Sequence, residues 1–155
     1  KLDHFSDWAE KGQALKKELL YLVDEDTRSF NAIIDAIRMP KSTDEEKKER
    51  KDAIERASQY AAEVPYKVMN TTLQSADLLN QMIETGNPAS VTDAGVGALC
   101  CMTAVEGAYM NVRINTKDLS DKKFASALNE KATATHNEAK KRFSDITTEV
   151  HLRIQ

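Results

Sequence analysis

Cysteine, proline, glycine and aromatic residues are all scarce in this chain, and each scarcity removes a set of structures. Its 155 residues include two cysteines, three prolines, five glycines and 6% aromatics. Cys100 and Cys101 are neighbours, so on one helix they diverge and are poorly placed to bridge each other. Both are read as reduced thiols of a cytoplasmic protein, filling a core or a helix seam. There is no Cys-x-x-Cys pair, Gly-rich phosphate loop, Ser-His-Asp order or internal repeat. His4, His136 and His151 are far apart and match no ligand spacing, so neither a metal nor another cofactor is expected. No alternating run bounded by turn residues marks a strand, and there is no Asn-Gly or Asp-Gly hairpin. No stretch reads as a membrane span or a signal peptide, so a membrane is not an expected partner.

Charge of one sign is also lacking. With 22 basic and 25 acidic residues interspersed, the net charge of -3 reads as solvated helix faces and argues against nucleic acid as a partner. Abundant Ala, Leu, Lys and Glu favour helices. A 41% hydrophobic content can build one core, so residues 1–155 are expected to form a single all-α domain, a bundle of long, mostly antiparallel helices.

The first helix, expected over about residues 3–38, carries Phe5, Trp8, Gly12, Leu15, Leu19, Leu22, Phe30, Ile33, Ile34 and Ile37 at helical steps. Asp26 falls on that stripe where a hydrophobe is called for, whereas Asp24, about 200° away, points elsewhere. An inward carboxylate is either satisfied by an amide or lysine as a structural residue or desolvated for proton transfer. Pro40 ends the helix, leaving Lys41 in the turn, either solvated or facing an anion. Ser42 or Thr43 caps the second helix with Glu46 in a capping box, Val64-Pro65 is expected to kink it into two halves, and Gly86-Asn87-Pro88 stops it.

The third segment, residues 90–117, has one small and polar face. Asp93, Gly97, Cys101, Ala104, Ala108, Asn111 and Asn115 follow at steps of three and four and form one seam. That seam suits either a tight helix crossing, with the amides bonded to neighbouring backbone, or a groove for a flat ligand addressed by Asn111 and Asn115. Ser120 can cap the last helix, which reads as structural.

Several of these stretches, in order, resemble one family. Leu22-Val23-Asp24-Glu25-Asp26-Thr27 followed by Phe30, then Arg38-Met39-Pro40-Lys41-Ser42-Thr43, and later Gly86-Asn87, residues 90–93 and the run from Glu106-Gly107-Ala108-Tyr109 through Asn111-Val112-Arg113-Ile114-Asn115 to Lys117-Asp118 are similar to the cyclodeaminase domain of formiminotransferase-cyclodeaminases. The resemblance implies an ammonia lyase of histidine breakdown and one-carbon metabolism. Its substrate would be 5-formiminotetrahydrofolate, cyclised to 5,10-methenyltetrahydrofolate with release of ammonia. It further implies a homodimer or larger assembly formed through the helices, a formiminotransferase partner, and a folate carrying a glutamate tail. On that resemblance Asp26 is the catalytic acid, Asn111 and Asn115 bond the pterin or the formimino group, Asp93 pairs with ring donors, and Lys41 attracts the tail carboxylates. The family's Gly-rich opening and first helix are absent from these residues. Two alternatives stand beside this reading: a methenyltetrahydrofolate cyclohydrolase, which opens the same ring with water, and a non-catalytic helical interaction module.

Overall fold

The computed structural model describes residues 2–155, with side chains from Ser6 onward, so the place of Phe5 in the stripe lies outside the described residues. Four long helices run α1 (Leu2–Arg38), α2 (Asp44–Thr85), α3 (Val91–Thr116) and α4 (Lys122–Arg153), with a 3-10 turn at Pro88–Ser90. Among the described residues there is no strand, as expected. Short connections make each helix antiparallel to the one before it, so α1 and α3 run parallel. The 42-residue α2 is the spine: it packs against α1, α3 and α4, while α1 and α3 flank it without comparable packing on each other.

Helix ends follow the local chemistry. Thr43 Oγ1 accepts from the Glu46 amide at 3.1 Å and Glu46 Oε2 accepts from the Thr43 amide at 3.1 Å, the reciprocal pair expected of the motif. The last helix is capped by Asp121, whose Oδ1 accepts from the Phe124 amide at 2.9 Å, and not by Ser120. Ser120 is held differently. Its amide and that of Asp121 each donate to the Glu55 carboxylate at 2.9 Å, which lowers the Glu55 pKa and ties the α3–α4 turn to α2.

The core is built from small residues. Ala62, Ala76, Ala98, Ala132 and Ala139 are fully buried with Met69, Val105, Val112, Phe143 and Ile146, so α2, α3 and α4 approach closely. A Cβ built on Gly95 would lie 3.0 Å from the Val150 side chain, so only glycine fits this α3–α4 crossing without displacement.

Three expectations from sequence are corrected here. α2 continues through Pro65 as one helix and is not divided into two. Proline has no N–H to give the carbonyl four residues earlier, Ala61, and that oxygen instead accepts from Asn115 Nδ2 at 2.8 Å, so α3 completes α2's backbone. The second concerns α1: its buried ladder is Leu15, Leu22, Ser29 and Ala36 at seven-residue steps with Glu25 beside it, whereas Phe30 and Ile37 are exposed. Ser29 Oγ donates to the Asp26 carbonyl at 2.8 Å, so a polar residue sits in the ladder with its hydrogen bond made. Finally, the Pro88–Thr116 helix is long and apolar enough by composition to cross a membrane, contrary to expectation, and it lies here between α2 and α4 with Ala98, Val105 and Val112 buried.

Candidate active site

Because α1 and α3 flank α2 without closing on each other, a groove of about 580 Å³ runs between them. Its α1 wall carries Leu19, Leu22, Val23 and Asp26, its floor is Val68 and Thr72 of α2, and its α3 wall is Cys100, Cys101 and Ala104. The groove is apolar except for the Asp26 carboxylate and the threonine hydroxyls, which is how sites for flat organic ligands are commonly built. Burial pushes the Cys101 thiol pKa up, so it stays protonated and serves as wall. Further along the same pair of helices a second hollow, of about 410 Å³, is bounded by Ile33, Ala61, Ile114 and Asn115, with Arg50 and Lys51 at its end.

Asp26 itself is exposed, which corrects the expectation that it looks inward. The buried acid of this stretch is its neighbour Glu25, at 8% exposure. The reason is geometric: the ladder through Leu22 and Ser29 centres the α1–α2 contact, and Glu25 and Asp26 fall on opposite flanks of that line about 100° apart. Glu25 meets Tyr60 of α2, whereas Asp26 meets the groove. The chain's own packing therefore does not desolvate Asp26.

The other expected residues are spread along α3 and the turns. Asn115 lines the second hollow, its Nδ2 committed to Ala61 and its Oδ1 open to other donors. Asn111 is exposed one turn before it, on the stretch between the two hollows. Asp93 is exposed in the first turn of α3, seven residues and about 10 Å of helix rise before Cys100, where the α3 wall of the Asp26 groove begins. It lies on the opposite side of that groove from Asn115, and no single small ligand spans the two. Lys41 is exposed on the α1–α2 turn, at the end of the bundle where Arg50 and Lys51 lie.

Two features went unread in the sequence. One is Thr72, whose placement on the groove floor depends on α3 standing beside α2. The other is the cluster around Glu25, which accepts from Tyr60 and from Arg28 at 2.6 and 3.1 Å. The hydroxyls of Tyr21 and Tyr60 and the Arg28 guanidinium together hold the Glu25 carboxyl at about 2, and the Glu25 carboxylate, with burial, pushes Tyr60 up to about 12. A depressed acid stabilises the fold above its ordinary value near 4.5, and that contribution is lost as pH falls toward 2. Urea denaturation of Glu25→Gln should accordingly show lower stability than the parent at pH 7 and a gap that narrows below pH 4.5 and closes only as pH nears 2. A gap independent of pH would mean that the charge of Glu25 is not what the cluster uses.

The groove and the bundle define a class: an all-helical domain that carries a ligand-sized cleft between two parallel helices, with an acid on its lip. Comparison makes this particular. Residues 2–134 match the family described as formiminotransferase-cyclodeaminase, and the chain belongs to that family. It is 36% identical over 127 residues to the formimidoyltransferase-cyclodeaminase of Mus musculus, covering 82% of this chain and 24% of that protein. It is also 34% identical over 116 residues to a methenyltetrahydrofolate cyclohydrolase of Methylorubrum extorquens, covering 75% of this chain and 56% of the relative. The chain thus spans about a quarter of the length of the animal relatives it matches. A crystal structure of the formiminotetrahydrofolate cyclodeaminase of Thermotoga maritima superposes with a TM-score of 0.78 over 92% of this chain and 67% of that one, at 21% identity, which establishes a common fold.

Proposed function

We propose that this chain is a formiminotetrahydrofolate cyclodeaminase, and the observation that carries the reading is Asp26 on the lip of the α1–α3 groove. Nitrogen-10 of the folate attacks the formimino carbon and gives up its proton, while the departing nitrogen must gain one. A carboxylate beside both can take the first and return it to the second. The methenyl cation and ammonia together hold one proton more than the neutral substrate, and solvent supplies it. Asn111 and Asn115 lie about 10 and 16 Å of helix rise beyond Ala104 on α3, where they serve the pterin, and Lys41, at the same end of the bundle as Arg50 and Lys51, draws the carboxylates of the folate tail. The reaction needs no metal or other cofactor; folate is the substrate. Asp93 stands on the other side of the groove from the two asparagines, so a ring bonded by them does not reach it.

A pair of chains completes the site. Leu20, Val23 and Phe30 of α1 and Val96, Leu99, Met110 and Ile114 of α3 are each between 59% and 64% exposed and flank the groove as an apolar surface. A second copy on that surface buries it and encloses Asp26, supplying the desolvation that a single chain does not. Sedimentation should give a dimer, and Leu99→Arg should give monomers; a wild type that sediments as one chain removes the pairing. We further place the protein in the cytoplasm, in histidine breakdown, working with a formiminotransferase fused to it or separate from it.

The cyclohydrolase relative supports a second reading, ring opening of methenyltetrahydrofolate by water. Incubating the chain with each folate separates them. Ammonia from the formimino compound supports the deaminase, hydrolysis of the methenyl compound without ammonia release supports the cyclohydrolase, and neither reaction leaves a helical interaction module.

A further inference from the structure

The hydroxyl of Thr72 is buried without a hydrogen-bond partner, and it lies on the floor of the Asp26 groove. Other helical threonines in this chain do not leave their hydroxyls so. Thr103 donates to the Leu99 carbonyl at 3.0 Å, Thr116 to Val112 at 2.9 Å and Thr133 to Asn129 at 2.8 Å, each bonding back one turn. Thr72 could bond in the same way to the Val68 carbonyl and does not. At 1% exposure it bears the cost of a lost hydration that native structures rarely carry without cause. The other buried unpaired atom, Asn129 Oδ1, belongs to an amide already fixed by two donations, to Thr116 Oγ1 at 2.8 Å and to the Ala125 carbonyl at 2.9 Å. Thr72 has none.

We infer that Thr72 is a substrate-binding residue whose hydroxyl completes its hydrogen bonding on the ligand. Resting on the folate reading above, its Oγ accepts from the N–H of the formimino nitrogen, the atom that leaves as ammonia. A hydroxyl turns about its χ1 bond between the rotamers open to threonine in a helix, so the oxygen can reach a ligand atom seated on the floor. It stands across the groove from the α1 wall that carries Asp26, so it holds the departing nitrogen from below while the carboxylate serves it from the side. Val68, the neighbouring floor residue one turn away, offers only hydrocarbon. The nitrogen therefore has one polar place to rest on α2.

Steady-state kinetics with the formimino folate test this on the purified chain and on Thr72→Val and Thr72→Ser. A hydrogen bond of ordinary strength lost from the substrate corresponds to a change of roughly five- to tenfold in KM. Thr72→Val should show that rise with kcat within a few fold, Thr72→Ser should restore KM to within about twofold, and the ligand-free thermal midpoint of Thr72→Val should equal or exceed the parent's because an unpaired hydroxyl has gone. An unchanged KM in Thr72→Val, a rise that serine does not reverse, or a lowered ligand-free midpoint would each overturn the assignment. A parent chain that converts no formimino folate sinks the folate reading and this inference with it, whereas an active parent beside a kinetically normal Thr72→Val sinks this inference alone.

Discussion

Asp26→Asn is expected to slow ammonia release by about 10²- to 10⁴-fold while helix content and thermal midpoint stay at the parent values. The expectation of an intact fold follows from where the side chain sits. It is exposed, and among the described residues its carboxylate enters no ion pair. Beyond the backbone bonds of the helix, the residue's one hydrogen bond is through its carbonyl, which accepts from the Ser29 hydroxyl and survives any side-chain change. Asparagine keeps the shape and can still bond a substrate, but it cannot take a proton from nitrogen-10 and return it to the leaving nitrogen. The loss should therefore fall on kcat, with KM nearly unchanged. Glu25→Gln is the control from the adjacent position: it weakens the fold at neutral pH through the Tyr60 and Arg28 contacts and leaves turnover near the parent rate. Near-normal ammonia release from Asp26→Asn would remove this carboxylate from the chemistry.

The contrast between these neighbours also marks where sequence reasoning stops. Helix type and extent were legible because Pro40, the Thr43–Glu46 pair and Gly86 act within one turn of themselves. The facing of α1 was not. Apolar side chains stand on two of its faces, and the one richer in large residues, through Val23 and Phe30, is the exposed one, while the buried ladder uses Ser29, Ala36 and a partnered Glu25. Hydrophobicity alone set Phe30 and Ile37 on one stripe with the buried Leu15 and Leu22, because an exposed apolar residue looks like core and a satisfied acid looks like surface. The α3 seam came out better: Cys101, Ala104 and Asn115 do line the cleft beside α2. Asp93 shares their rotation but not their height, since periodicity fixes the side of a helix and says nothing of how far along it a ligand reaches. Thr72 carries no signature at all; it is one polar residue in a helix, and only the open space beside it makes it notable.

Asn115→Ala is expected to cost about 1–3 kcal/mol of stability, and the cost should vanish in a chain that also carries Pro65→Ala. In the parent, the Ala61 carbonyl is buried and cannot be served within its own helix, because residue 65 has no N–H; the amide of Asn115 serves it from α3 at 2.8 Å. Truncating Asn115 orphans that oxygen. Alanine at position 65 restores the missing donor, so the carbonyl is satisfied inside α2 whether or not the amide is present. Urea denaturation of the four proteins gives the coupling directly, and its sign distinguishes two roles for Asn115. A coupling of about 1–3 kcal/mol identifies a residue that joins α3 to α2 and presents only its oxygen to the second hollow. Equal costs in both backgrounds would mean that the proline and the asparagine are independent, and that the continuity of α2 through Pro65 rests on packing against its neighbours. The coupling bears on function because this contact joins the two helices that supply the floor and one wall of the groove.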